Sequence, residues 1–303
     1  MVNIQVKVRC GCNYKCWYCV AKHQIEKTEE FNLDQMEVFL NDLSDKDASF
    51  SFECGASEPA LHPQIKDLIK LLLKYGEVSI PTNNSIDPDL WLPEGDCGRL
   101  KLRCALHPEN EKTIDDFVLR MLHIKSKGAR VSCIFCASPD RLYKIKEYSK
   151  FFEEKQIPFT VIPLVGEFGG KVYPQAYTQE DQKLIFGIKR EEDRDWYQKI
   201  KPLIPTRDFY DIPCFAGFSL FYIDSKEIFK CLYDRKPLEK PFKGATPCRV
   251  HDCGCGFFLE EFSKDDIKIC PSEDFEEEFE KIVKRYFDLM KKYGKLDDAG
   301  LKI

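Results

Sequence analysis

The chain has 303 residues, 43% hydrophobic and 13% aromatic, enough to bury the core of one large domain or two modest ones, which excludes fibrous and disordered readings. Lys and Arg number 46 against 51 Asp and Glu, a net charge of −5, so the overall field does not recruit polyanions and no general nucleic-acid binding is expected. No apolar run approaches the roughly 20 residues of a membrane span, and the start MVNIQVKVRCGC lacks an apolar signal region. A cytoplasmic protein with no membrane association is the resulting expectation. The 15 cysteines are too dilute, in too long a chain, for a disulfide scaffold, and in a reducing compartment they point to metal.

In chain order, IQVKV (4–8) alternates apolar and polar residues as a half-buried strand does, and a cysteine loop follows it. FNLDQMEVFLNDL (31–43) then sets Leu33, Met36, Phe39, Leu40 and Leu43 on one helical face. ASFSFEC (48–54) reads as a strand, His62 to Tyr75 as a helix closed by Gly76, and EVSIPTN (77–83) as a strand again. RLKLRCALH (99–107) is followed by a helix over 113–127 that ends at Gly128. ARVSCIFC (129–136) precedes a helix from Arg141 to Glu154, and PFTVIPLV (158–165) is the next strand. Six or so such repeats predict an α/β chain with a parallel sheet. The right-handed crossover rule curls it into a full or partial barrel, with a partial (β/α)6 TIM-like barrel the expected class and its chemistry on the loops after the strands' C-terminal ends.

From Gly166 the text changes, as Gly169, Gly170, Pro174, Pro202, Pro205 and Pro213 interrupt charged helical stretches. The expected division is a barrel over 1–200, a small cysteine-rich β-hairpin/helix domain over 201–272, and a C-terminal amphipathic helix and tail over 273–303. FSLFYI (218–223) and EIFKCL (227–232) read as the hairpin. DFEEEFEKIVKRYFDLMKKYG (274–294) repeats its apolar residues at helical spacing and reads as a helix packed on the barrel.

The loop GCNYKCWYC carries Cys12, Cys16 and Cys19, with Tyr18 just before the last. Three thiolates so spaced wrap one face of an iron–sulfur cube, and because a complete four-iron cluster normally takes four cysteines, one iron is left open. This resembles the signature of the radical S-adenosylmethionine superfamily, whose open iron is chelated by the amino and carboxylate groups of S-adenosylmethionine. GASEPALHP (55–63) is similar to the family's GGEP segment, with Gly55, Ser57 and Glu58 where the methionine amino group would be held, although Ala56 replaces the second glycine. PTNNS (81–85) resembles the segment that touches the ribose, which points to Asn83. RCALHPE (103–109) and ARVSCIFCASP (129–139) end the next two strands, and Ser132 is a further candidate for the ribose or carboxylate.

Cys16 and Cys19 could form half of a zinc ribbon with Cys133 and Cys136, which leaves Cys12 idle. Cys10 reads as a strand-end thiol, and Cys54, Cys97, Cys104, Cys133, Cys136 and Cys270 as small core residues. His62 reads as a turn or cap imidazole, whereas His107 divides evenly between that role and one facing the cavity.

The second group, Cys214, Cys231, Cys248, Cys253 and Cys255, resembles the SPASM and Twitch extensions of the same superfamily. Lys226 stands where SPASM has a glycine and the cysteines are too few, so the resemblance implies a single auxiliary four-iron cluster on Cys214, Cys231, Cys253 and Cys255, with Cys248 spare. A structural zinc is the alternative.

The resemblance implies S-adenosylmethionine and two four-iron clusters as cofactors, and flavodoxin or ferredoxin as the reducing partner. Its chemistry is reductive cleavage of S-adenosylmethionine followed by hydrogen abstraction from a carbon. An auxiliary cluster that accepts an electron makes the outcome an oxidation; a hydrogen-donating Cys248 makes it an epimerisation. Peptide-modifying members of the superfamily it resembles often carry a leader-binding domain, for which no room is expected before the first strand, and PLVGEFGGKVYPQAYT (163–178) offers Glu167, Tyr173 and Tyr177, so the substrate is read as a small polar molecule such as a sugar or nucleoside. A short peptide is the alternative substrate, and an ordinary bridging loop the plain reading of 163–178. A non-catalytic iron–sulfur carrier or zinc-binding module is the reading from a different class.

Overall fold

The structure, a computed structural model, describes residues 2–19, 28–44, 50–55, 57–95, 97–111, 113–186, 213–214, 220–225, 227–231, 236–238 and 246–247. The chain divides into two compact units, Met1–Lys189 with Tyr222–Ile228, and Arg190–Phe221 with Phe229–Ile303.

In the first unit, strands β1 (Val2–Lys7), β2 (Phe50–Gly55), β3 (Gly76–Thr82), β4 (Leu100–Leu106), β5 (Arg130–Ala137) and β6 (Phe159–Pro163) pair in that order, each parallel to the next. Helices α1 (Leu33–Ser44), α2 (Ile65–Tyr75), the short α3 (Pro88–Trp91), α4 (Ile114–Ser126) and α5 (Lys144–Glu154) lie in the connections. Strand order β1 to β6 without closure makes this an open, partial barrel, as the repeats predict.

Alternation decides which face is core. Ile4 and Val6, Phe52 and Cys54, Val78 and Ile80, Leu102 and Cys104, and Val131 and Cys133 are buried on one face. They match the apolar stripes of the helices, Met36, Phe39, Leu40 and Leu43 on α1, and Phe117, Val118, Met121 and Ile124 on α4. The sequence-expected face of the first helix is therefore the buried one, except that Leu33 is only half-buried. Thr113 caps α4 by accepting from Asp116 N at 3.0 Å. Gly76 joins α2 to β3 where the backbones touch, since a Cβ there would strike the Phe50 carbonyl.

Three expectations change. The segment 163–178 is not a plain loop. It forms a hairpin of β7 (Gly166–Phe168) and β8 (Lys171–Tyr173), turning through Gly169 and Gly170 at φ of 57° and 72°, and α6 (Gln179–Phe186) follows. Tyr173 and Tyr177 are buried in it, and the Tyr177 hydroxyl donates to the Ala137 carbonyl at 2.6 Å while accepting from Leu164 N at 2.8 Å. That hydroxyl holds backbone in place, so it does not serve the substrate contact expected of it.

The hairpin expected inside the cysteine-rich region, observed as β10 (Leu220–Asp224) and β11 (Glu227–Phe229), extends the main sheet beyond β1 in the order β11-β10-β1. Its residues Tyr222–Ile228 belong to the first compact unit. A pairing partner far away in sequence leaves no mark on local alternation, which explains the difference. The third change concerns Cys136, which is half-buried on the face opposite Cys133 rather than sealed in the core. In the second unit β9 (Pro213–Cys214) pairs antiparallel with β12 (Thr246–Pro247). The expected helix over 274–294 lies outside the described residues, as does Cys270. Among the described residues no helix is long and apolar enough to cross a membrane.

Candidate functional site

The loops after β1, β2, β3 and β4 meet at one end of the sheet. The β1 loop is anchored at its base by Arg9, whose guanidinium donates to both carboxylate oxygens of Asp224 at 2.5 and 2.6 Å. Asp224 is nearly sealed, and this bond holds the Arg9 proton more tightly than usual. The next residue but two, Cys12, opens the three-cysteine loop.

Cys12 is exposed, and Cys16 and Cys19 are half-buried. A Cys19 N to Cys16 O bond of 3.1 Å tightens the turn between the last two. Burial pushes the Cys12 thiol up and the Cys16 thiol up to about 11, and Cys12 and Cys19 add to the rise at Cys16. Three soft sulfurs on one short loop form a donor set that a cation would stabilise as thiolates. The three residues present thus fit the face of a four-iron cluster.

Glu58 follows β2 as the N-cap of the short Pro59–Leu61 turn and is sealed from solvent. Its Oε1 accepts from Thr82 Oγ1 at 2.6 Å and Ala60 N at 3.2 Å, and its Oε2 from Asn83 N at 2.5 Å. Burial still pushes its carboxyl up, against the pull of those three donors. The carboxylate therefore bolts the end of β2 to the end of β3, and Oε2, with one bond, keeps acceptor capacity toward a ligand ammonium. Asn83 carries the bolt to the cysteine loop. Its Nδ2 donates to Asn13 Oδ1 at 2.8 Å and lies 3.8 Å from Cys12 Sγ, while its Oδ1 accepts from Ser85 N at 3.0 Å.

Gly55 and Ser57 form the floor. A Cβ on Gly55 would come within 3.3 Å of Pro81 Cγ, a contact that keeps this position small. Ser57 Oγ donates to Val8 O at 2.6 Å and lies 3.0 Å from Cys10 Sγ. Cys10 is the buried strand-end thiol the sequence indicates.

On the other side stands a network of aromatic and charged groups. Tyr18 OH is 2.7 Å from His107 Nδ1 and donates to Glu109 at 2.8 Å, and Glu109 is held by Arg141 at 2.8 Å. With the phenol hydrogen used on Glu109, His107 Nδ1 must carry the hydrogen that reaches Tyr18, and the same nitrogen is 3.2 Å from Cys16 Sγ. His107 therefore faces the site. Burial lowers its pKa, which keeps the ring neutral. Arg141 also lies over the Tyr18 ring at 5.1 Å.

Cys12, Cys16, Cys19, Tyr18, Glu58 and Asn83 thus come together, with Gly55 and Ser57 beneath them. Ser132 stands apart from this group, five residues before the end of β5 and in register with Arg103. The sequence does not single out Arg141, because a lone arginine after a strand has no pattern, and Glu109 of RCALHPE carries no signal of its own. His62 is the turn imidazole expected, bonded to Glu29 O and Gln64 N at 2.9 and 3.1 Å. The zinc ribbon loses its geometry, since Cys133 and Cys136 point to opposite faces of β5. Of the second cysteine group, Cys231 is buried, Cys214 is a position on β9, and Cys248, Cys253 and Cys255 lie outside the described residues.

The fold is that of the radical S-adenosylmethionine enzymes. SuiB of Streptococcus suis, solved bound to the precursor peptide SuiA, superposes with a TM-score of 0.51 at 15% identity over 80% of this chain and 63% of its own. The chain thus spans less than two thirds of SuiB's length. The protein anSMEcpe, solved with bound AdoMet and a peptide, gives a TM-score of 0.51 at 15% identity over 96% of this chain and 99% of its own. No protein-family model and no curated protein matches the sequence.

Proposed function

We propose that the chain is a radical S-adenosylmethionine enzyme whose Cys12, Cys16 and Cys19 hold a four-iron cluster, with S-adenosylmethionine bound against Tyr18, Gly55, Ser57, Glu58 and Asn83. The observation that carries this reading is the hydrogen-bonded path from the sealed Glu58 carboxylate through Asn83 to the Cys12 loop. It ties the two motifs of the resemblance into one mouth. When bound and reduced, cluster and cofactor supply a 5′-deoxyadenosyl radical that removes hydrogen from a carbon of the substrate. The chain's own residues orient and enclose. Glu58 fixes the two strand ends and offers Oε2 to an ammonium, Asn83 positions the cysteine loop, and the Tyr18, His107, Glu109 and Arg141 network sets one wall. Ser132 belongs to the deeper part of the same face.

An auxiliary four-iron cluster on Cys214, Cys231, Cys253 and Cys255 completes the proposal, with Cys248 as a hydrogen donor if the reaction is an epimerisation and the cluster as electron acceptor if it is an oxidation. The substrate is a small polar molecule. A short peptide is the second reading, favoured by the peptides bound in the SuiB and anSMEcpe structures. Reconstitution under anaerobic conditions should load about eight irons per chain, falling to about four when Cys12, Cys16 and Cys19 are all Ala. Addition of S-adenosylmethionine should change the electron paramagnetic resonance spectrum of the reduced wild type alone. An iron content unaffected by the triple replacement contradicts the assignment.

A further inference from the structure

A parallel sheet is normally covered on both sides and apolar on both. This one is apolar on its helix-facing side and polar on the other, where the half-buried positions include Gln5 and Lys7 of β1, Glu53 of β2, Ser79 of β3, Arg103 of β4 and Ser132 of β5. The register sets Pro81, Arg103 and Ser132 opposite one another, sets Lys7 opposite Gly55, and brings Gly55 against Pro81. This row lies immediately below the segment that begins at Gly55.

Arg103 stands at the centre of that row. Its guanidinium reaches across β3 to the carboxylate of Glu53, and the side chains are 33% and 43% exposed, so the pair borders open space and is not locked in the core. Arg103 Nε is buried without any hydrogen-bond partner. Burial also lowers the affinity of the guanidinium for its proton. A guanidinium presents five donors in a planar fork suited to an oxyanion, and while Glu53 meets a terminal nitrogen, Nε is left without an acceptor. A buried donor without an acceptor is a costly arrangement, and none of the described residues supplies that acceptor. The position is also suited to a substrate. His107, which touches Cys16, lies four residues further along the chain, about 13 Å at strand rise.

We propose that Arg103 anchors a negatively charged group of the substrate, a carboxylate or a phosphate, on the polar face of the sheet beneath the cysteine loop. The incoming oxyanion takes the unmatched edge of the guanidinium, Glu53 turns toward solvent, and the Ser132 hydroxyl lies beside the bound group. That the anion belongs to the substrate rests on the function proposed above; the anion site itself does not.

The test is equilibrium dialysis of the reconstituted full-length chain against radiolabelled malonate and, separately, inorganic phosphate. One saturable site is expected. Its affinity should fall at least tenfold in Arg103→Met, be partly retained in Arg103→Lys, and rise at least threefold in Glu53→Gln, which removes the competing carboxylate. Malonate bound in preference to phosphate identifies a carboxylate substrate, and the reverse a phosphorylated one. Absence of saturable binding of either anion to the wild type overturns the proposal, as does equal binding by well-folded Arg103→Met. Should Arg103→Met not fold, unchanged affinity in Glu53→Gln overturns it. A chain that binds the anion yet never assembles the cluster refutes the radical function and leaves the anion site standing.

Discussion

Cysteines of the cysteine loop and cysteines of the strands are chemically the same residue in opposite surroundings. Cys54, Cys104 and Cys133 are fully sealed behind the sheet, each with burial as the main cause of its raised pKa. Cys12, Cys16 and Cys19 share one turn at the strand ends, within reach of one another's charge and of Asn83 and His107. In the first set sulfur serves as a small apolar group; in the second it is a donor waiting for a cation. The count of cysteines is therefore less informative than which end of a strand each one occupies.

Substitution should separate the two sets most widely. Cys16→Ala should remove the iron held by the loop and abolish any turnover that depends on it, whereas Cys104→Ser should leave iron content unchanged, as measured by iron assay on reconstituted protein. The same Cys104→Ser change should lower unfolding stability by about 1–3 kcal/mol, because it buries a hydroxyl among apolar side chains, and urea melts of the metal-free chain will show it. Alkylation gives a milder contrast. In the metal-free chain iodoacetamide should label exposed Cys12 first, and Cys54, Cys104 and Cys133 only in denaturant, as read by peptide mass mapping.

The smallest effect concerns Glu58, whose carboxyl is raised by burial in the folded chain. The folded state therefore binds more protons than the unfolded one at pH values between the two pKa values, so the stability contribution is present below the unfolded value near 4.3 and is lost as pH rises through the folded one. Metal-free wild type should lose stability as pH rises through that window, and Glu58→Gln should flatten the slope.

Much of this was legible in the text. Alternation in IQVKV, ASFSFEC and RLKLRCALH marks strands with one apolar face, and the three-cysteine loop with GASEP and PTNNS marks the mouth, because these signals are local in sequence. The attachment of β10 beside β1 was not legible, nor was the Arg9 to Asp224 pair, since the first joins strands from distant parts of the chain and the second residues 215 apart. Arg103 and Arg141 escaped for another reason. A single arginine on a strand or after one reads as a solvated charge until the register shows what surrounds it. His107 was half legible: its strand-end position hinted at the cavity, and only the phenol's hydrogen count assigns its donor.

The central claim is that the three loop cysteines serve cleavage of S-adenosylmethionine and not electron storage or zinc binding. It is tested most directly by incubating anaerobically reconstituted protein with dithionite and S-adenosylmethionine and quantifying 5′-deoxyadenosine. The wild type should form it and Cys16→Ala should not. Protein with a full complement of iron and no 5′-deoxyadenosine would contradict the account.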